Sequence, residues 1–495
     1  MDTLKSNSAA SRGAGLRRDL SLFDSTMIVV GSMIGSGIFI VSADIARTVG
    51  CAGYLLIVWL IAGVLTMIAA LSYGELGGLM PRAGGQYVYL REAYNPLIGF
   101  LFGWTLFLVI QTGTISAVAM AFGKFAAILI PGLGEKNVLI DSFGISINAA
   151  QLTAIASIAV LTMINIRGIH GGKIVQNMFT GAKVIAILIL IILGITIGMN
   201  HEAVAQNLST FWNTSWTHMA DGKILSVETL SGAGLAAAIG VAMVGSLFSS
   251  DAWFDITFTA GEVKNPTRDV PRSLAMGTAI VTLLYLLANV AYLSILPVQG
   301  SPDASGIAGA GIQFAANDRV ATAAGTMMFG TAGAVIMAVL IMVSTFGCNN
   351  GLILAGARVC YAMAQDRLFF NRVSRLNAKG APAAALIVQA IWCSVLCLSG
   401  TYGDLLDYVI FAVLIFYMLT IAGIFILRKK NPEAERPFKA PGYPFLQIIY
   451  ILCAAAICVS LLIYKPKYTW PGLIIVLIGV PVYFLWKWIG QRENA

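Results

Sequence analysis

The sequence predicts an all-α integral membrane protein with twelve transmembrane helices, and three observations carry that reading. Of 495 residues, 58% are hydrophobic and 11% charged, whereas soluble domains carry about 25% charged residues. Mean hydropathy is +0.83. Apolar runs of the length needed to cross a hydrocarbon core, about 20 residues each, follow one another with no long polar stretch to separate soluble domains. The net charge of +8 does not indicate nucleic acid, because the 31 Lys and Arg form short clusters between apolar runs rather than one basic face.

Eight runs contain no Asp, Glu, Lys or Arg and give helix 3 (93–123), helix 4 (142–166), helix 7 (273–302), helix 8 (320–357), helix 9 (380–403), helix 10 (408–427), helix 11 (440–464) and helix 12 (468–486). Helix 1 (24–45), helix 2 (52–80), helix 5 (173–199) and helix 6 (232–262) complete the set, and three of these four hold ionisable residues within their ends. Connections on the side of the N-terminus carry 23 of the 31 Lys and Arg, the opposite connections carry 7, and Lys183 lies within helix 5. Because cytoplasmic loops are enriched in Lys and Arg, both termini are expected to be cytoplasmic. Residues 1–20 are polar and lack the apolar core of a cleavable signal peptide. They are expected to form a disordered tail, with helix 1 as the insertion signal.

Helix 1 contains Gly31-Ser32-Met33-Ile34-Gly35-Ser36-Gly37-Ile38-Phe39 at its middle. Each glycine costs about 1 kcal/mol relative to alanine inside a helix, so the chain is expected to unwind at Gly35 to Gly37. The second half-helix would then present free N–H groups to an anion such as a carboxylate, and the carbonyls ending the first half would face an ammonium. The same Gly31 and Gly35 spacing also fits a small-xxx-small packing face. Helix 6 has a matching irregularity at Gly240, Gly245, Ser246, Ser249, Ser250 and Asp251, ahead of Trp253, where Asp251 is suited to cap a second half-helix. Met33-Ile34-Gly35-Ser36 and Met243-Val244-Gly245-Ser246 echo one another five helices apart. Interrupted helices in corresponding positions of two halves point to a transporter's binding site.

Lys183 sits in an apolar run, where a central lysine costs about 2.5 to 3.5 kcal/mol on insertion scales. Lys173 already marks the end of that helix, so the Lys183 ammonium is expected to be held by carbonyls and hydroxyls inside the bundle rather than to snorkel. Glu75 reads as structural, and Asp255 is left without an assigned role. Cys51, Cys348, Cys360, Cys393, Cys397, Cys453 and Cys458 form no CxxC pair and read as buried free thiols. His170, His201 and His218 fall in predicted loops, and there is no HExxH, GxSxG or Walker A motif. No enzyme activity and no cofactor is expected.

The helix 1 string resembles the signature of the amino acid, polyamine and organocation superfamily, and the wider pattern resembles its L-type amino acid transporter family. Ser72-Tyr73-Gly74-Glu75-Leu76, Pro81 to Leu90, Val175 to Lys183, Glu262-Val263-Lys264-Asn265-Pro266 and Ser344 to Gly351 support the match in consistent order from about residue 17 to about 430. The resemblance implies a LeuT-type fold with 5+5 inverted repeats and broken helices 1 and 6. Its expected divisions are a cytoplasmic tail (1–21), a first repeat (22–200), an extracellular connection (201–231), a second repeat (232–430), helices 11 and 12 (431–490) and a cytoplasmic tail (491–495).

It further implies a sodium-independent exchanger or permease of neutral L-amino acids, working by alternating access in a cell membrane, inner or plasma. The substrate carboxylate would meet the N–H groups of Ser36 and Gly37 beside Gly35. Its ammonium would meet carbonyls of Met33, Ile34, Phe248, Ser249 and Asp251, with Phe248 as an aromatic gate. Lys183 would stand in for a sodium ion beside the helix 1 backbone and Ser344. Two departures matter. Phe254 and Asp255 follow Trp253 where the family often has small polar residues, which keeps a carrier of cationic amino acids or polyamines as the alternative, alongside a non-transporting amino-acid sensor. Segment 131–148 lacks the cysteine through which some members bind a glycoprotein, so no disulfide-linked heavy chain is expected.

Overall fold

A computed structural model describes residues 16, 18–142, 145–220, 223–399, 402–464 and 466–492. The expected disordered tail falls mostly on residues outside this set. Among the described residues, eleven helices are long and apolar enough to cross a membrane, and the shorter apolar helix Ala383–Ser399 stands where helix 9 was predicted. Apolar side chains such as Ile185, Ile192, Leu452 and Ile463 are exposed on the outside of the bundle. That is the surface a bilayer would cover.

Local chemistry sets the helix ends. Helix 1 starts at Leu22 behind a reciprocal cap in which Ser21 and Asp24 exchange side-chain and backbone hydrogen bonds of 2.9 and 3.2 Å. Asn95 caps helix 3 ahead of Pro96, a residue suited to the first helical position. Helix 3 runs to Leu129 with a π-turn at Leu106–Ile110. Helix 4 begins at Ala149 rather than 142, capped by Asn148 and Gln151. The residues before it form two antiparallel strands, Val138–Ser142 and Ile145–Asn148, of which the second alternates apolar and polar. A second hairpin, Ser215–Ala220 with Lys223–Thr229, follows the helix His201–Ser209 in the connection after helix 5. His201 and His218 lie in the connection after helix 5, on its helix and its first strand, whereas His170 is the second residue of the helix Ile169–Thr196 and not in a connection. Helix 8 spans Val320–Gln365 with a break in helical dihedrals at Gly330, helix 10 spans Tyr402–Lys430 and helix 12 spans Pro466–Arg492.

Helices 1 and 6 run antiparallel at the centre. The backbone N–H groups of Asp19 and Leu20 donate to the Glu262 carbonyl at 2.8 and 2.9 Å, and that of Lys264 donates to Leu20 at 2.9 Å. These bonds join the start of helix 1 to the end of helix 6. At the other end, Ser42–Val49 packs on Gly232–Ser249. All seven cysteines are free, six of them buried.

Two ion pairs, each with a buried carboxylate, join helices around this centre, one between helices 2 and 10 and one between helices 6 and 8. Glu75 on helix 2 accepts from Arg428 at 2.9 and 2.6 Å and from the Ala440 N–H at 2.7 Å, which fits its structural reading. Arg358 on helix 8 grips Glu262 through two bonds of 2.9 and 3.2 Å, each residue 1% exposed. Removing one partner of such a pair leaves an uncompensated buried charge and costs about 3 to 5 kcal/mol. Arg358→Ala is therefore expected to lower the thermal unfolding midpoint of the detergent-solubilised protein by many degrees. A midpoint within one degree of the parent would show that the pair is not needed.

Candidate functional site

Helix 1 stops at Met33, passes through Ile34, Gly35 and Ser36, and resumes as Gly37–Ile40 and Ser42–Val49. The predicted break is present, and the packing alternative holds for Gly31 as well. A Cβ on Gly31 would lie 2.0 Å from Gln176 Nε2 and 2.2 Å from Thr180 Oγ1 of helix 5. Helix 6 stops at Ser249 and resumes for one turn at Asp255–Phe258. Its break is at Ser250 to Phe254, beyond Met243-Val244-Gly245-Ser246, so the echoed tetrapeptides do not mark equivalent points. Ala252 lies in the left-handed region at φ 63°, a conformation that costs a residue with a Cβ about 1 to 2 kcal/mol.

The expected capping by Asp251 is not what the structure has. The second half of helix 6 begins four residues later, behind Phe254, with no side-chain cap. Asp251 Oδ1 accepts the hydroxyl proton of Tyr417 on helix 10 instead. Tyr417, Tyr73, Trp253 and Phe254 form an aromatic cluster around it, with ring centroids 4.7 to 5.9 Å apart.

The two breaks face each other across a cavity of about 10 Å³ lined by Ser32, Met33, Gly35, Ser36, Gly37, Phe248, Ser249, Asp251 and Ala252, with Thr114 and Val118 of helix 3 and Cys348 of helix 8. Such a volume holds about one water, so the breaks stand closed upon each other. Of the residues expected at a substrate site, all but Ile34 line it. Lys183 and Ser344 sit behind helix 1. The Lys183 ammonium is fully buried and donates to the carbonyls of Gly31 at 2.6 Å, Ile34 at 2.7 Å and Ser344 at 3.3 Å. Ser344 Oγ lies 3.2 Å from the Ile34 carbonyl and 3.1 Å from that of Gly35.

The carbonyls freed by the break thus have protein donors. That of Ser32 takes Cys348 Sγ at 3.0 Å, and that of Met33 takes the Gly35 N–H at 2.9 Å and lies 3.0 Å from Tyr285 Oη. The same hydroxyl lies 3.0 Å from the Ser249 carbonyl, so Tyr285 of helix 7 bridges both breaks. Sequence reasoning missed Tyr285, Thr114, Val118 and Cys348 as site residues, since each reads as an ordinary member of an apolar helix. Asp255 does not line the cavity. It is fully buried, with Oδ2 3.5 Å from Gln111 Nε2 and Oδ1 without a hydrogen-bond partner.

The arrangement offers helix-start donors at Ser36 and Gly37 opposite carbonyls and a carboxylate, a layout suited to a zwitterion. Comparison with known proteins is consistent with it. The sequence pattern of the amino acid permease family matches residues 20–484, extending the resemblance through helices 11 and 12. Over 473 residues the chain is 30% identical to the serine/threonine exchanger SteT of Bacillus subtilis, covering 95% of this chain and 97% of that protein. It is 28% identical over 488 residues to the b(0,+)-type amino acid transporter 1 of Mus musculus, covering 98% and 91%. It is 29% identical over 477 residues to the large neutral amino acids transporter small subunit 2 of Homo sapiens, covering 96% and 81%.

Proposed function

The chain belongs to the amino acid permease family, with L-type amino acid transporters among its relatives, and from that premise we propose that it exchanges neutral L-amino acids without sodium. It is a multi-pass membrane protein and a transporter, not an enzyme. The observation that carries the finer reading is the opposition of the two broken helices across one cavity, with Ser36 and Gly37 on one side and Phe248, Ser249 and Asp251 on the other. The substrate carboxylate meets the N–H groups of Ser36 and Gly37, and its ammonium meets the carbonyls across the break. In the closed state an amino acid does not fit, so loading requires the halves of helices 1 and 6 to separate, as alternating access demands.

Sodium independence rests on Lys183. Its ammonium already supplies a positive charge to the carbonyls of Gly31, Ile34 and Ser344, leaving no need for a metal ion there. Both termini are assigned to the cytoplasm from the distribution of Lys and Arg. No disulfide-linked heavy chain is expected, as segment 131–148 has no cysteine.

The deciding experiment is uptake of labelled neutral amino acids into sodium-free proteoliposomes, preloaded or empty. Uptake confined to preloaded vesicles is expected, and equal uptake in both would replace exchange with uniport or proton coupling. Asp255 motivates the cationic alternative, and its unpaired buried oxygen keeps that reading in view. Its absence from the cavity lining argues the other way. Asp255→Asn is therefore expected to leave the ratio of arginine to alanine uptake unchanged. A selective loss of arginine uptake would instead favour the cationic carrier.

A further inference from the structure

Asp255 is a buried acid set among groups that do not satisfy it. It opens the second half of helix 6, Asp255–Phe258, and is 0% exposed. Its Oδ1 has no hydrogen-bond partner, and its Oδ2 lies 3.5 Å from Gln111 Nε2, at the far limit of a hydrogen bond. That amide already donates to the Leu352 carbonyl at 2.9 Å. The charge that bears on Asp255 is that of another acid, Asp251, whose Oδ1 takes the Tyr417 hydroxyl. Ser32 Oγ, a second buried oxygen without a partner, stands beside the carboxyl, and Ser32 lines the cavity between the breaks.

The half-helix packs on helices 1, 7 and 8, whose ionisable groups near the breaks are engaged with other atoms. Tyr285 of helix 7 lies at the Met33 and Ser249 carbonyls, Cys348 of helix 8 at the Ser32 carbonyl, and Arg358 of helix 8 grips Glu262. Asp24, towards the start of helix 1, is joined to Ser21 and Asn177. The Lys183 ammonium is committed to three carbonyls behind helix 1, and helix 3 contributes the uncharged Gln111. A carboxylate held out of water without compensation is costly enough that the group takes up a proton instead. An ionisable residue of this kind within a membrane marks a site of function.

We propose that Asp255 is a proton-binding site, filled when the two breaks are closed and emptied when the halves of helices 1 and 6 separate and water enters beside Ser32. A solvated aspartate is ionised above about pH 4, so closing at neutral pH takes one proton from water onto the carboxyl, and opening returns it. In exchange every crossing passes through the closed state, so a proton accompanies the substrate in both directions and no net proton flux results. The inference rests on the alternating-access reading, not on which amino acid is carried.

The test measures exchange in sodium-free proteoliposomes with the same pH on both sides. One required proton lowers the rate by up to about tenfold for each unit rise between about pH 5 and about pH 8, and the parent should show that fall. Asp255→Asn keeps the shape of the protonated group but cannot ionise, and should hold its acidic-pH rate throughout. A flat parental profile would overturn the proposal, as would the parental profile in the variant. Infrared absorption of the purified full chain at neutral pH gives a reading that needs no transport. A carboxylic-acid carbonyl band present in the parent, displaced in deuterated water and missing from Asp255→Asn is expected. A parental spectrum without that band, or a variant that keeps it, would overturn the proton site. No exchange at any pH beside an intact Asp255 band would leave the proton site standing and remove the exchange reading instead.

Discussion

Lys183→Ala is expected to leave amino acid binding measurable while reducing exchange at least about tenfold, since a hydrogen bond to a charged group is worth about 1.5 to 3 kcal/mol and each 1.4 kcal/mol is a factor of ten. The ammonium ties the carbonyls of Gly31 and Ile34 on helix 1 to that of Ser344 on helix 8. Without it, Ile34 keeps Ser344 Oγ at 3.2 Å, but the Gly31 carbonyl loses its ammonium donor. The cavity lies on the other face of helix 1, so the groups proposed to touch substrate remain in place. The change falls on the coupling between the break and its neighbours. Counterflow into proteoliposomes reads transport, and the shift in unfolding temperature with added substrate reads binding. Exchange at the parental rate would remove Lys183 from the mechanism.

Gly37→Val is expected to weaken substrate binding by at least about a hundredfold, a cost that a misplacement of 1 Å can impose on a positioned site. A Cβ at Gly37 would stand 2.1 Å from Ser249 Oγ and 3.0 Å from Ser249 Cα. The hydroxyl is held by the Gly245 carbonyl at 2.8 Å and the Cα belongs to the end of a helix, so helices 1 and 6 must part at their breaks. Gly35→Ala is the comparison, because its Cβ meets only the Cys348 and Val118 side chains, the nearest atom at 3.2 Å. Its effect should be far smaller. Calorimetric affinities for a neutral amino acid decide the matter, and an unchanged value for Gly37→Val would place the pocket elsewhere.

Much of this architecture was legible in the sequence. Bilayer insertion selects on composition over about 20 residues, so the spans stand out without tertiary information. Three glycines within seven residues weaken a helix wherever it packs, which is why the helix 1 break was visible. The need of Lys183 for internal partners followed from the cost of a lysine in hydrocarbon.

What escaped depends on long-range geometry. Tyr417 lies 166 positions from Asp251, and nothing local distinguishes a tyrosine that will intercept a carboxylate from one that fills space. The capping expectation failed for that reason. Tyr285 gains its significance from reaching two carbonyls that only the folded chain brings together. The strand Ile145–Asn148 was missed because the charge-free run 142–166 was read for length before the alternation at its start was considered.

The π-turn at Leu106–Ile110 carries a further consequence. Here the Gln111 N–H bonds to the Leu106 carbonyl and the Thr112 hydroxyl to that of Phe107 at 2.7 Å, both five residues back. A π-turn inserts one residue into the α-helical count, and one residue is worth about 100° of rotation. The phase of everything after it, Thr114 and Val118 included, is set by that extra residue. A relative lacking one residue in this turn would keep the same side chains in the same order and aim a different stripe of helix 3 at the cavity. Pocket composition in such proteins can therefore change by the length of a turn, with no substitution at any position that touches the substrate.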